Sequence, residues 1–224
     1  MFDRLLSIVA PHYCCGCGIV GTLLCANCKY NIIDEADSAC IICHHPTGQE
    51  KLCKNCSAPY DRAWLVGERH GTLQRLVGLF KFERTKAAGN VLANLLSETL
   101  PKLPIETVIV PVPTVASHIR ERGYDHVALI AKKLAKARDL KYETLLSRAT
   151  KTKQRHSSAT QRETQAQRMF ALNKPFDPAK PYLLIDDVMT TGATIKYAAK
   201  TLRNAGAKTV WIAIIARQIQ NDKL

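Results

Sequence analysis

Nine cysteines crowd into residues 14–56 of this 224-residue chain, and the rest of the sequence has none. Eight of them form four Cys-x-x-Cys pairs: Cys14/Cys17, Cys25/Cys28, Cys40/Cys43 and Cys53/Cys56. Two residues between thiols put both sulfurs on one tight turn, and two such knuckles complete a tetrahedral site with Zn–S bonds of about 2.3 Å. Four pairs therefore predict two Zn2+ sites of four cysteines each. Their role is structural, because four thiolates leave no open position for catalysis. Adjacency favours Cys14/Cys17 with Cys25/Cys28 and Cys40/Cys43 with Cys53/Cys56; spacing leaves an interleaved pairing open. Cys15 is then a spare thiol, and His44 and His45 are non-ligands because each pair is complete without them. The competing account, a disulfide framework, needs an oxidising compartment. Asp3 within the first apolar stretch and the lack of a small-residue cleavage pattern read against a secretory signal, so a cytoplasmic location is expected.

A second reactive stretch is Tyr182–Ile195, YLLIDDVMTTGATI. Asp186 and Asp187 follow a short apolar run, and Thr190, Thr191, Gly192 and Thr194 open onto a helical pattern of Ile195, Ala198, Ala199 and Leu202. Free N–H groups and the dipole at a helix N-terminus hold a phosphate. Threonine hydroxyls add donors, and Gly192 lets the backbone close on the anion. Adjacent carboxylates would repel that phosphate, so they suit a sugar diol or a divalent cation bound to it. A sugar carrying a terminal phosphate, gripped at both ends, meets both requirements; an ordinary strand-to-helix turn with acidic caps is the plainer alternative.

The elements that must position these groups can be read on either side. Tyr182–Ile185 is a buried strand that should end at the acids, and Thr209–Ala216 a second strand one crossover later, with Gly206 stopping the helix between them. Ligands in such parallel sheets sit beyond the carboxyl ends of the strands. Pro59 and Tyr60-Asp61 mark a boundary, giving a cysteine-rich domain at 1–58 and a larger domain at 59–224. The smaller one has too few large apolar side chains to fold without metal. Ala63–Gly71 reads as a strand reaching a turn, then Leu73, Leu76, Val77 and Phe80 follow helical spacing, and a further helix runs from Thr85 to Leu100. Lys81, Phe82 and Arg84 lie between these helices, as open to a solvated junction as to a ligand role. Thr107–Val112 is a strand broken by Pro111 and ended by Pro113. Thr114–His126 is a polar turn with Arg120 and Arg122, leading into a helix with Val127, Ile130 and Leu134.

Net charge is +13. That favours a polyanionic partner or substrate. Residues 117–170 carry much of the excess, and Gln154–Gln167 within them reads as a mobile loop. The few aromatic side chains there, Tyr124, Tyr142 and Phe170, would make any nucleic-acid contact weakly sequence-selective. His118, His126 and His156 lack metal spacing and read as surface or turn residues. No apolar run approaches a membrane span, so no membrane insertion is expected.

DDVMTTGAT resembles the signature of type I phosphoribosyltransferases, which bind 5-phosphoribosyl-1-pyrophosphate (PRPP). That resemblance implies an α/β fold with a parallel sheet flanked by helices. Asp186 and Asp187 would hold the ribose as the catalytic pair, Thr190, Thr191, Gly192, Ala193 and Thr194 would hold the 5′-phosphate, and Val188 and Met189 between them would belong to the ligand-binding stretch. Pro113, Thr114 and the residues to Ser117 would grip the pyrophosphate, with Arg120 or Arg122 neutralising leaving-group charge and Mg2+ accompanying the ligand. VPVP followed by RERGYDH is similar to the ComF family of competence-associated proteins, which joins a cysteine-rich zinc-ribbon domain to a phosphoribosyltransferase-like domain. That family has a further loop motif matched here by Gln154, Arg162 and Phe170, with Gln165 at its Asn position and Ser157 at its Leu position. The resemblance implies a PRPP-binding protein of DNA uptake, with single-stranded DNA and competence proteins such as a DNA helicase as partners. The other reading it allows is an active transferase with an unidentified acceptor.

Overall fold

The computed structural model describes residues 12–34, 39–48, 50–83, 85–148 and 169–218. Arg84, His156 and the expected loop residues Gln154, Ser157, Arg162 and Gln165 lie outside them. The helices are α1 (Ala26–Asp34), α2 (Gly71–Phe82), α3 (Lys86–Thr99), α4 (Ala116–Arg122), α5 (His126–Arg138) and α6 (Ala193–Asn204). The strands are β1 (Arg62–Glu68), β2 (Val108–Pro111), β3 (Lys141–Tyr142), β4 (Leu146–Arg148), β5 (Phe170–Leu172), β6 (Pro181–Met189) and β7 (Thr209–Arg217). Five of them form a sheet in the order β1-β7-β6-β2-β3 whose every pairing is parallel, and β4 and β5 form a separate antiparallel pair.

Parallel strands covered on both faces read as continuous apolar runs, and β7 is buried from Val210 to Arg217. On one face Leu183, Ile185, Ala213 and Ile215 pack against α2, α3 and α5 through Phe80, Leu92, Leu96, Ile130 and Leu134. On the other, Leu184, Ile212 and Ile214 pack against α6 through Ile195, Ala198, Ala199 and Leu202. The helical spacing read from the sequence therefore matches the buried faces of α2 and α6.

The cysteine-rich segment clasps the β1 edge of the sheet. Leu23 and Ile32 join the core on the α2 side, whereas Ile41 joins the core on the α6 side. The Lys51 amide donates to the Ala63 carbonyl at 2.8 Å, so part of the free ladder of β1 is covered by this segment.

Three elements differ from the sequence reading. Helix α2 runs on through Lys81 and Phe82, which were expected between the helices. The strand expected to end at Ile185 continues to Met189, because β7 keeps pairing with it through Asp186↔Ile214, Val188↔Ala216 and Met189↔Arg217. The acids are thus inside the last turn of strand, on alternating faces, rather than beyond it. The polar turn after Pro113 holds the short helix α4, closed by Gly123 in the left-handed conformation at φ 80°.

Candidate functional site

The carboxyl edge of β6 and the start of α6 form one wall of the site. Asp187 points to the α2 and α5 side, along with Leu183 and Ile185, and is buried. Its Oδ2 lies 2.5 Å from Lys81 Nζ and 2.7 Å from His126 Nε2. Its Oδ1 accepts from the Val188 amide at 2.6 Å. Arg122 Nη1 lies 2.9 Å from His126 Nδ1 and 3.1 Å from Nε2, so the guanidinium packs against the same ring that faces Asp187. Burial pushes the Asp187 carboxyl up, but His126 and Lys81 outweigh it and hold the group well below the usual carboxylate range. His126, expected at the surface, is instead buried, because it occupies the first position of α5 directly over Asp187.

Asp186 has the opposite environment. It is half-buried, and its Oδ1 accepts from the Asp187 amide at 2.9 Å. Burial, reinforced by the charge of Asp187, pushes its carboxyl up to about 8. Two neighbouring carboxyls with pKa values driven apart are a mark of a functional site.

Thr190 and Thr191 are exposed and lead to Gly192, which caps α6 with φ 74°. A side chain at Gly192 would be strained by that angle and would meet Met189 Sδ at 3.4 Å. Gly192 offers no side-chain cap and the first turn carries no acid; the Ala193 amide donates to Thr191 Oγ1 at 3.4 Å, and the positive end of the helix dipole lies at this loop. Asp186, Val188, Met189, Thr190, Gly192, Ala193 and Thr194 line one small hollow, so four of the five residues expected at the phosphate converge there, with Thr191 next to them in sequence.

The facing wall is cationic. A cleft of about 200 Å3 is bounded by Asp186, Asp187 and Thr194 on one side and by Lys81, His118, Arg122 and Arg148 on the other, with Pro113 to Val115 as its floor. Asp125 fixes that floor by accepting from Thr114 Oγ1 at 2.9 Å and from the Ala128 amide at 3.0 Å, capping α5. Arg148 Nε donates to the Pro113 carbonyl at 2.9 Å. Of the two predicted arginines, Arg122 is buried in the cleft wall, whereas Arg120 is exposed and does not line it. Sequence reading missed Arg148, His126 and the placement of Lys81. No local motif carries them; an isolated lysine after an apolar helical face was the only signal for Lys81.

The cysteines gather as adjacency suggested. Cys14, Cys17, Cys25 and Cys28 form one group and Cys40, Cys43, Cys53 and Cys56 the other, with the sulfurs of each group within 4.8 Å of one another. Cys17 and Cys25 sulfurs are 3.7 Å apart and those of Cys43 and Cys53 3.5 Å. Tetrahedral Zn–S bonds of about 2.3 Å require sulfurs about 3.8 Å apart, so both groups fit zinc. Burial pushes the Cys14 and Cys40 thiols up, yet surrounding backbone amides, of Cys17 and Cys25 and of Cys43 and Cys53 respectively, bring both down to about 6, toward the thiolate a metal needs. Cys15 and both neighbouring histidines lie outside the groups. For Mg2+, the fitting donors are the half-buried Asp186 carboxyl and the oxygens of a bound diphosphate.

Part of the basic stretch is committed to internal bonds. Arg138 donates to the Ser97, Leu100 and Pro101 carbonyls at the end of α3, and Lys141 pairs with Glu143, as does Lys174 beyond the stretch. Among the described residues, no helix is long and apolar enough to cross a membrane.

The family model for a phosphoribosyl transferase domain matches residues 106–223. The DNA utilization protein YhgH of Salmonella typhi is 30% identical over 88% of this chain and 91% of its own. Competence protein F of Haemophilus influenzae is 24% identical over 86% of this chain and 96% of its own. A solved structure of the allosteric regulatory enzyme of purine biosynthesis is 22% identical over 58% of this chain and 25% of its own, with a TM-score of 0.44. A transferase domain preceded by two four-cysteine groups, alike to competence and DNA-utilization proteins over most of its length, makes this chain a member of the ComF family of phosphoribosyl transferase-domain proteins.

Proposed function

We propose that the protein binds PRPP with Mg2+ at the carboxyl edge of β6 and serves DNA uptake or utilization, as the names of its relatives indicate. The observation that carries the reading is the juxtaposition of tandem acids and a glycine-threonine loop with a cationic wall across one cleft. Asp186 receives the ribose hydroxyls, the start of α6 takes the 5′-phosphate, and Arg122 and Arg148 face the pyrophosphate. Mg2+, when bound, would neutralise diphosphate charge. Single-stranded DNA follows as a further ligand from the net charge of +13 and would bind with strong salt dependence. The second reading is turnover, favoured by the intact acid-and-loop motif: the C1–O bond to pyrophosphate would break as an acceptor bonds to C1.

Replacing both acids, Asp186→Asn with Asp187→Asn, should weaken PRPP binding by at least about 100-fold in calorimetry with Mg2+ present. Equal affinity of the double variant and the wild type would remove the site. Acidity offers an independent test. Asp186, with its carboxyl near 8, holds a proton in the free protein at pH 7 and must release it to accept from a diol as carboxylate. Affinity should therefore rise with pH between 6 and 8, by up to about tenfold per unit. Calorimetry in buffers of different ionisation enthalpy should register the released proton; identical heats in both would contradict that role for Asp186.

A further inference from the structure

We infer that Lys81, delivered by α2 from outside the matched transferase domain, is a binding residue for the ligand's pyrophosphate, with Asp187 as its resting counter-ion. The inference rests on the PRPP reading above and adds a residue that the transferase model at 106–223 does not contain.

The backbone that carries Lys81 is held with unusual rigour. Phe80 is fully buried, packs on Tyr124 and His126 with centroids 5.5 and 6.4 Å away, and its carbonyl accepts from the Tyr124 hydroxyl. Gly89 of α3 makes room for it: a methyl there would lie 2.8 Å from the Phe80 ring. The last turn of α2 is thereby fixed to the start of α5, at the mouth of the cleft. From that anchor Lys81 lines the same cleft as Pro113, Thr114, Arg122 and Arg148, with 13% of its side chain exposed.

Asp187 does not depend on Lys81 alone. Its other partners, His126 Nε2 at 2.7 Å from Oδ2 and the Val188 amide at 2.6 Å from Oδ1, remain if the ammonium swings away. The carboxylate is therefore not stranded by that movement. A lysine on a flexible four-carbon stem is a compact point charge able to exchange one oxyanion for another. A diphosphate entering between the floor at Pro113–Val115 and the arginines brings several negative oxygens within its reach.

The test compares two probes on the full chain with Mg2+: PRPP, and ribose 5-phosphate, which lacks the pyrophosphate. Lys81→Met should lower PRPP affinity by about 10- to 100-fold while ribose 5-phosphate affinity stays within about twofold of wild type. Lys81→Gln, which keeps a donor for Asp187 without the charge, should show the same selective loss, and Lys81→Arg should recover part of it. A parallel loss for both probes means that Lys81 only holds Asp187, and unchanged PRPP affinity means that it does not touch the ligand; either overturns the inference. A wild type that binds neither probe instead sinks the PRPP reading itself.

Discussion

The two cysteine knuckles are nearly the same object in different surroundings. In each, the amide of the first cysteine donates across a small hairpin, Cys14 to the Ile19 carbonyl at 2.9 Å and Cys40 to the His45 carbonyl at 2.8 Å. The amide of the third donates to the sulfur of the first, Cys25 to Cys14 at 3.3 Å and Cys53 to Cys40 at 3.4 Å. Both turns contain a left-handed residue, Gly18 at φ 78° and His44 at φ 59°. What differs is the neighbour. The first knuckle rests on α2 through Arg75, whose Nε donates to the Cys15 carbonyl, and reaches the α2-side core through Leu23. The second borders the proposed phosphate loop: Ile41, Ile42 and His44 share a hollow with Met189, Thr190, Thr191 and Gly192. One four-cysteine geometry thus stands in two settings. Stapling the edge of a sheet needs only a rigid knot, whereas bordering the proposed ligand loop would make the knot part of the site's wall.

Breaking one knuckle at a time tests that difference most severely. Cys17→Ser with Cys25→Ser, and Cys43→Ser with Cys53→Ser, should each lower bound zinc by about one ion per chain and cost several kcal/mol of stability, since structural zinc is folding free energy. At a temperature where both variants remain folded, only the second should lose PRPP affinity, by about tenfold or more, because its loss loosens the wall behind Thr190–Gly192. Equal affinity losses in the two variants would mean that the knuckles act only through global stability.

The knuckles and the phosphate loop were legible because their chemistry is written locally. Two residues between thiols define a turn whatever surrounds it, and Asp186 to Thr194 are neighbours in sequence as in space. Even so, adjacency only favoured the cysteine pairing over an interleaved one, and the division of the acids had to come from folding. Strand β6 was expected to stop at Ile185; its continuation to Met189 puts Asp186 and Asp187 on opposite faces and buries one of them. That outcome depends on the length of β7, which is a property of the partner strand. Of the cationic wall only Arg122 was expected, through the family resemblance, and the rest was illegible for a related reason. Lys81, Arg122 and Arg148 come from three separate elements, and only the crossovers of the sheet bring them to one cleft. His126 follows the same rule: at the head of α5 it looks like a turn residue until the strand beneath it supplies Asp187.

A gentler perturbation separates the wall from the metal. Arg217, at the end of β7, donates through Nε to Glu68 at 2.7 Å and through Nη1 to the Cys40 carbonyl at 3.4 Å. Its strand partner is Met189, and the next residue, Gln218, donates its amide to the Met189 carbonyl at 2.8 Å. This guanidinium therefore ties the second knuckle to the strand beside the phosphate loop without touching a sulfur. Both members of the ion pair are largely buried, with side-chain exposures of 6% and 15%. Arg217→Met should leave Glu68 unpaired and cost about 3 kcal/mol of stability, and removing Glu68 as well, by Glu68→Met, should return much of it. The zinc count should stay at the wild-type value in both variants, because all eight thiols remain. If the second knuckle shapes the site through contact, PRPP affinity should fall about three- to tenfold in Arg217→Met and stay low in the double variant, since the bond to the Cys40 carbonyl is absent from both. Recovery of affinity together with stability in the double variant would reduce the tie to ordinary packing and leave the two knuckles alike in function as well as in form.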